Sequence, residues 1–135
     1  MRFAILVVAG AVACAPSPRQ DGRLARVDID VRCSTAGGVT FRIKPWTARL
    51  QQDGEIEWRI NGNANTEAIT IESKQGAWPF TVNPPYNGTK QNPARGTNMR
   101  PGQSGQRFAY AIRAVCQSDN YGPDTVIVDP DMVVD

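Results

Sequence analysis

Between Arg26 and Cys33 the chain alternates without a break: Val27, Ile29, Val31 and Cys33 are separated by Arg26, Asp28, Asp30 and Arg32. A period of two puts successive side chains on opposite faces of an extended strand, so one face is buried and the other wet. The period returns where Val39, Phe41 and Ile43 alternate with Thr40, Arg42 and Lys44, where Ile56, Trp58 and Ile60 alternate with Glu55, Glu57 and Arg59, and at Ile69 and Ile71. No segment shows a helical period. Asp53-Gly54 between Leu50 and Ile56 predicts a hairpin within residues 46–61, and Asn61-Gly62-Asn63 marks the next turn. Further strands are expected at 78–82, 107–116 and 126–128, with a continuation over 132–134. Short strands separated by Gly, Pro and Asn turns predict an all-β fold, an antiparallel Greek-key β-sandwich. With 135 residues there is room for one such domain, over residues 24–135.

The residues before it read as an address. Met1-Arg2-Phe3 and an apolar or small run over 4–13 match a short export signal, and the run stops at Pro16-Ser17-Pro18, too early to span a bilayer. Ala11-Val12-Ala13-Cys14 resembles the lipobox of bacterial lipoproteins, although Ala11 stands where Leu is usual. The resemblance implies a signal peptide over 1–13, an acylated Cys14, a tether over 14–23 and a lipid-anchored place in the cell envelope. Ala15 rather than Asp implies the outer membrane where there is one. Ordinary cleavage after Ala13, releasing a secreted or periplasmic protein, is the alternative.

Cysteine arithmetic agrees with this address. Three cysteines leave one over after a single bridge, and acylation of Cys14 accounts for it. If Val27, Ile29 and Val31 face inward then so does Cys33, and if Phe108, Tyr110 and Ile112 face inward then so does Cys116. A Cys33–Cys116 disulfide is expected in an oxidising compartment, with two separate buried thiols as the alternative.

Composition narrows the chemistry further. The chain has no histidine, which excludes Ser-His-Asp and Cys-His catalysis and His-ligated zinc. A formal charge of +2 lacks the strong positive field of nucleic-acid binders, so no nucleic acid is expected. Charge is unevenly spread, however. Residues 84–107 show no period and carry Lys90, Arg95, Arg100 and Arg107, whereas Asp119, Asp124, Asp129, Asp131 and Asp135 follow the last cation, Arg113. A loop of that length is a candidate site. Trp78 and Tyr86 with Lys90, Arg95 and Arg100 form the candidate partner-binding set, suited to an envelope protein or an anionic glycan.

Over residues 24–129 the chain resembles the cupredoxins. Ile56-Glu57-Trp58-Arg59-Ile60-Asn61 looks like their strand before the first histidine ligand, and 108–116 with 125–128 looks like the strand ending in the ligand cysteine and the final strand. The ligands do not carry over: Glu67 and Ala68 stand near the first histidine position, and Gln117, Ser118, Asp119 and Asn120 follow Cys116. A type 1 copper site needs two imidazoles and a thiolate. The resemblance therefore implies the fold without a metal or other cofactor. An immunoglobulin-like domain, with Cys33–Cys116 bridging its sheets and Trp58 packed on the bridge, is the competing resemblance. It departs at Ala114, where a Tyr is expected.

Other motifs have plainer explanations. Glu55 with Glu57, and Asp28 with Asp30, stand about 6–7 Å apart by strand rise, within reach of glycosidase chemistry, but they lie where an alternating strand places solvated charge. The late aspartates do not match a calcium loop. Asn87-Gly88-Thr89 is a chance sequon in a bacterial-looking chain, and the glycines near Gly102 and Gly105 lack the residues of a phosphate loop. The expectation is a non-catalytic envelope binding or structural lipoprotein without catalytic residues. A divergent metal-binding or redox cupredoxin and a carboxylate-based envelope hydrolase are the alternatives.

Overall fold

A computed structural model describes residues 23–34, 38–116 and 124–135; the leader, Cys14, nearly all of the tether and Asp119 lie outside the described residues. Ten strands follow one another: β1 Leu24–Cys33, β2 Val39–Lys44, β3 Thr47–Leu50, β4 Glu55–Ile60, β5 Ala68–Ser73, β6 Tyr86–Thr89, β7 Ala94–Gly96, β8 Arg107–Cys116, β9 Asp124–Val128 and β10 Asp131–Val134. They form two sheets, ordered β2-β1-β4-β7 and β3-β10-β8-β5-β6, with β9 pairing β8 beyond β10. The period of two becomes the two faces of each sheet. Val27, Ile29, Val31, Ile56 and Trp58 from the first sheet and Ile71, Tyr110, Ile112, Met132 and Val134 from the second are wholly buried between them.

The sheets are mixed rather than antiparallel. β1 runs parallel to β4, with Leu24 opposite Glu55, and β3 runs parallel to β10, with Thr47 opposite Asp131. After β2 the chain turns at Pro45 and crosses to the other sheet as β3, then crosses back, so that β4 returns beside β1 in β1's own direction. The turn expected at Asp53-Gly54 is present, with the Gly54 N–H donating to Gln51 O at 2.8 Å and Asp53 at φ 65°. It joins two sheets instead of closing a hairpin. A turn dipeptide sets where the chain reverses, and burial of both flanking apolar faces decides what each strand pairs with.

Two further expectations need correction. The strand at 78–82 is a single bridge, Phe80 to Met99, and the loop at 84–107 contains β6 and β7. These strands are four and three residues long, too short to show a period. Glycine lets them pack. A Cβ on Gly88 would lie 2.6 Å from Ala94 N, and one on Gly96 would lie 2.4 Å from Phe80 Cε2.

Cys33 and Cys116 are bonded, with their Cα atoms 5.6 Å apart, and join β1 of one sheet to β8 of the other. Trp58 is not at this bridge. It stands opposite Val27, six residues from Cys33 along β1 and so about 20 Å away by strand rise. Its neighbours are aromatic: Tyr110 at 5.5 Å edge-on and Tyr86 at 6.0 Å, with Trp78 a further 6.0 Å from Tyr86 and 6.4 Å from Tyr110.

Burial in this cluster pushes the Tyr110 hydroxyl from its ordinary value of 10.0 up to about 12, a rise that the Trp58 N–H opposes and Asp131 reinforces. The unfolded chain loses this proton near pH 10, so the native state holds it more tightly. The resulting stability is whole below pH 10 and is lost as pH rises toward 12, a loss of about 2–3 kcal/mol at completion. Urea titrations at about pH 9 and pH 11.5 should show the decline in the wild type and a clearly smaller one in Tyr110→Phe. Equal declines would assign it to other groups.

Candidate functional site

The two outer faces of the sandwich treat charge differently. Around the second sheet, cations and carboxylates meet one to one: Arg49 with Asp135, Lys74 with Asp129, Lys90 with Glu67, Arg107 with Asp131 and Arg113 with Glu72. Within each of these pairs the charges cancel. On the first sheet, β4 directs Glu57 outward by the same alternation that sends Ile56 and Trp58 inward. Arg26 on β1 and Arg95 on β7 stand opposite Glu57 on either side, and Arg59 follows two residues along β4.

All three guanidinium groups converge on the one carboxylate. Arg59 Nε lies 3.4 Å and Arg26 Nε 3.8 Å from Oε1, and Arg95 Nη2 donates to Oε2. Glu57 is thereby buried to 4% exposure, although a solvated residue is expected at its position in the alternation. The guanidinium groups close around it. The three side chains keep 59%, 50% and 56% of their surface exposed for Arg26, Arg59 and Arg95.

Beside this cluster an open groove of about 540 Å³ crosses the same sheet, lined by Asp28, Asp30, Arg42, Lys44, Arg59 and Asn61, among others. Arg59 belongs to both. Asp28 pairs in register with Lys44 on β2 and with Arg59 on β4, and Asp30 stands opposite Arg42. Among the described residues Arg42 and Lys44 make no ion pair, whereas Asp30 accepts from Arg32 Nε at 3.4 Å. Among the described residues this face therefore sets six cations (Arg26, Arg32, Arg42, Lys44, Arg59, Arg95) against four carboxylates (Asp28, Asp30, Glu55, Glu57).

The residues singled out as a partner-binding loop are not one surface. Trp78 is buried, and its Nε1 donates to the Tyr86 hydroxyl at 2.8 Å, which donates in turn to Val82 O. Arg100 ties down the same segment, giving Nε to Phe80 O at 3.0 Å and Nη2 to Asn83 Oδ1 at 3.3 Å. Trp78, Tyr86 and Arg100 thus meet as a latch inside the 78–100 segment. Lys90 is elsewhere, paired with Glu67, and Arg95 alone of the five enters the Glu57 cluster. What the linear reading missed is Glu57 with Arg26 and Arg59. Their signal was there as three charges of one parity on neighbouring strands, but strand order is needed to see it.

Asn65 is a further residue that the sequence did not mark. Its Oδ1 accepts from Cys33 N and its Nδ2 donates to Cys33 O, both at 2.7 Å, so it pairs with β1 as a strand would and holds the β4–β5 connection beside the disulfide. Asn65→Ala is expected to cost about 1–2 kcal/mol, measured by denaturant unfolding. A change under a few tenths would make the pairing incidental.

The cupredoxin resemblance raises the question of copper. The chain has no histidine and Cys116 is in the disulfide, so the donor set of a type 1 site is not here. Among the described residues no three His, Cys, Asp or Glu side chains gather as a metal ion would require. Compared with known families and curated proteins, the chain matches no family model and no curated sequence.

Proposed function

We propose that this chain is an envelope binding or structural-support domain, anchored through an acylated Cys14 and without catalysis of its own, on a cupredoxin-like sandwich. The observation that carries the reading is the Cys33–Cys116 bond between the sheets, because a bridge of this kind persists in an oxidising compartment outside the cytoplasm. It also uses Cys116, which supports setting the redox alternative aside. The three arginines on Glu57 argue against a hydrolase built on that carboxylate, since it has no free approach for a substrate.

For the finer fold, both sheets of an immunoglobulin domain are antiparallel, whereas each sheet here holds one parallel pair. That pattern, with Trp58 far from the bridge, favours the cupredoxin-like arrangement. The test is fractionation of a bacterium expressing the full chain. The wild-type protein is expected in the membrane fraction with the added mass of a diacylglyceryl or triacyl group on Cys14, and Cys14→Ser is expected to leave that fraction. A soluble wild-type protein, cleaved after Ala13 and free of lipid, would replace the anchored reading with a secreted one.

A further inference from the structure

We infer that the outer face of the first sheet binds an acidic saccharide, one that carries a carboxylate or phosphate group among free hydroxyls. This rests on reading the chain as a binding domain and names the class of ligand. The oxyanion receptor is the set of guanidinium groups gathered on Glu57. One carboxylate needs one guanidinium, and here Arg26, Arg59 and Arg95 share it, which leaves two positive charges in excess of that carboxylate on side chains that keep half or more of their surface exposed. Guanidinium forks match planar carboxylates and phosphate oxygens in pairs, and are less strongly hydrated than an ammonium.

Glu57 sets the geometry of this receptor. Its side chain is buried and its carboxylate meets all three guanidinium groups, so it draws three cations together that would otherwise repel one another, and strand register places Arg26 and Arg95 on either side of it. The three heads are held close before any ligand arrives. Preorganised charge is the feature that distinguishes a receptor from scattered surface arginines.

The adjoining groove decides between a saccharide and a continuous polyanion. Asp28 and Asp30 line it beside Arg42, Lys44 and Arg59. A nucleic acid or a run of acidic residues laid along this groove would meet both carboxylates and be repelled. Hydroxyl groups are donors to carboxylates, so a sugar ring can place one oxyanion on the arginines and give its hydroxyls to Asp28, Asp30 and the amide of Asn61. Asp30 already meets Arg32, whose Nε lies 3.4 Å from its Oδ1, whereas Asp28 makes no ion pair among the described residues and is the groove carboxylate open to a hydroxyl. The match is one of charge pattern: cationic at the Glu57 end and mixed along the groove.

The test is equilibrium binding of the full chain, at low and at physiological salt, to four probes: trigalacturonate, neutral galactotriose, glucose 6-phosphate and inorganic phosphate. At least one of the two acidic sugars is expected to bind, at least tenfold more tightly than galactotriose and than inorganic phosphate, with affinity falling as salt rises. Which acidic sugar binds more tightly distinguishes the carboxylate from the phosphate source. The paired variant Arg59→Gln/Arg95→Gln is expected to lose at least tenfold. Asp28→Asn should weaken the sugars and not inorganic phosphate, and Arg113→Gln, on the opposite sheet, should change nothing.

Thermal unfolding of each variant separates lost binding from lost fold. Should the paired variant unfold, Arg59→Lys, which keeps the charge and loses the fork, takes its place with a smaller expected loss. Equal binding of galactotriose, phosphate binding as tight as the sugars, or no binding of either acidic sugar would each overturn the assignment. If that happens while the protein still fractionates with membranes through Cys14, the ligand class fails and the anchored domain stands. Failure of both removes the binding-domain reading as well.

Discussion

Replacing Cys33 and Cys116 together by alanine is expected to lower the unfolding free energy by about 4–5 kcal/mol and the melting temperature by about 15–25 °C. The bridge spans 83 positions of sequence, so cutting it returns a long loop to the unfolded ensemble. It also removes the one covalent tie between the sheets at the end of β1 and β8. A domain of this size has a total stability of about 5–15 kcal/mol, so the loss takes about a quarter of it at the least. Alanine is chosen because Cys116 is 3% exposed, and a serine there would add the separate cost of a buried hydroxyl. Denaturant unfolding of the double variant, and of the wild type with and without reductant, measures the effect. If the oxidised wild type and the double variant unfold at the same denaturant concentration, the bridge is an ornament of a core that is sufficient without it.

Gly96→Ala is expected to cost about 3 kcal/mol, a large penalty for one methyl group. The added Cβ would lie 2.4 Å and 2.6 Å from two ring carbons of Phe80 and 3.0 Å from Ile56 Cγ2. Phe80 is wholly buried and its ring packs edge-on against Trp78, so it cannot step aside without disturbing the aromatic cluster. Close packing of this kind transmits strain instead of absorbing it. Gly62→Ala is the control, because nothing lies within 4 Å of the corresponding Cβ. Phe80→Leu should restore part of the loss in Gly96→Ala, as expected of residues that share one space. Additive costs in the double variant would mean that the methyl group is accommodated in some other way.

Legibility of the fold followed the length of each signal. β1 and β8, ten residues each, declare themselves because five side chains of one parity are needed on one face. β6 and β7 are silent because four and three residues that include Gly88 and Gly96 offer no period, and their place is set by contact with Ala94 and Phe80 instead. The site divides in the same way. Arg95 stands out in the sequence as a cation in an aperiodic stretch, while Glu57, its partner across 38 positions, reads there as an ordinary wet residue.

The sequence alone was enough to establish that this chain builds sheets with one wet and one dry face, and that Cys33 and Cys116 point into the same core. Both follow from a local rule, the alternation of side chains along an extended strand, which needs no knowledge of distant residues. Tertiary structure decided which strands became neighbours, that two of the pairings are parallel, and that Arg26, Arg59 and Arg95 share one carboxylate. Pairing is chosen by burying every apolar face at once, a condition on the whole chain that no local stretch contains. The charge cluster is its by-product: residues of one parity on β1, β4 and β7 become a single surface only after the core behind them has closed.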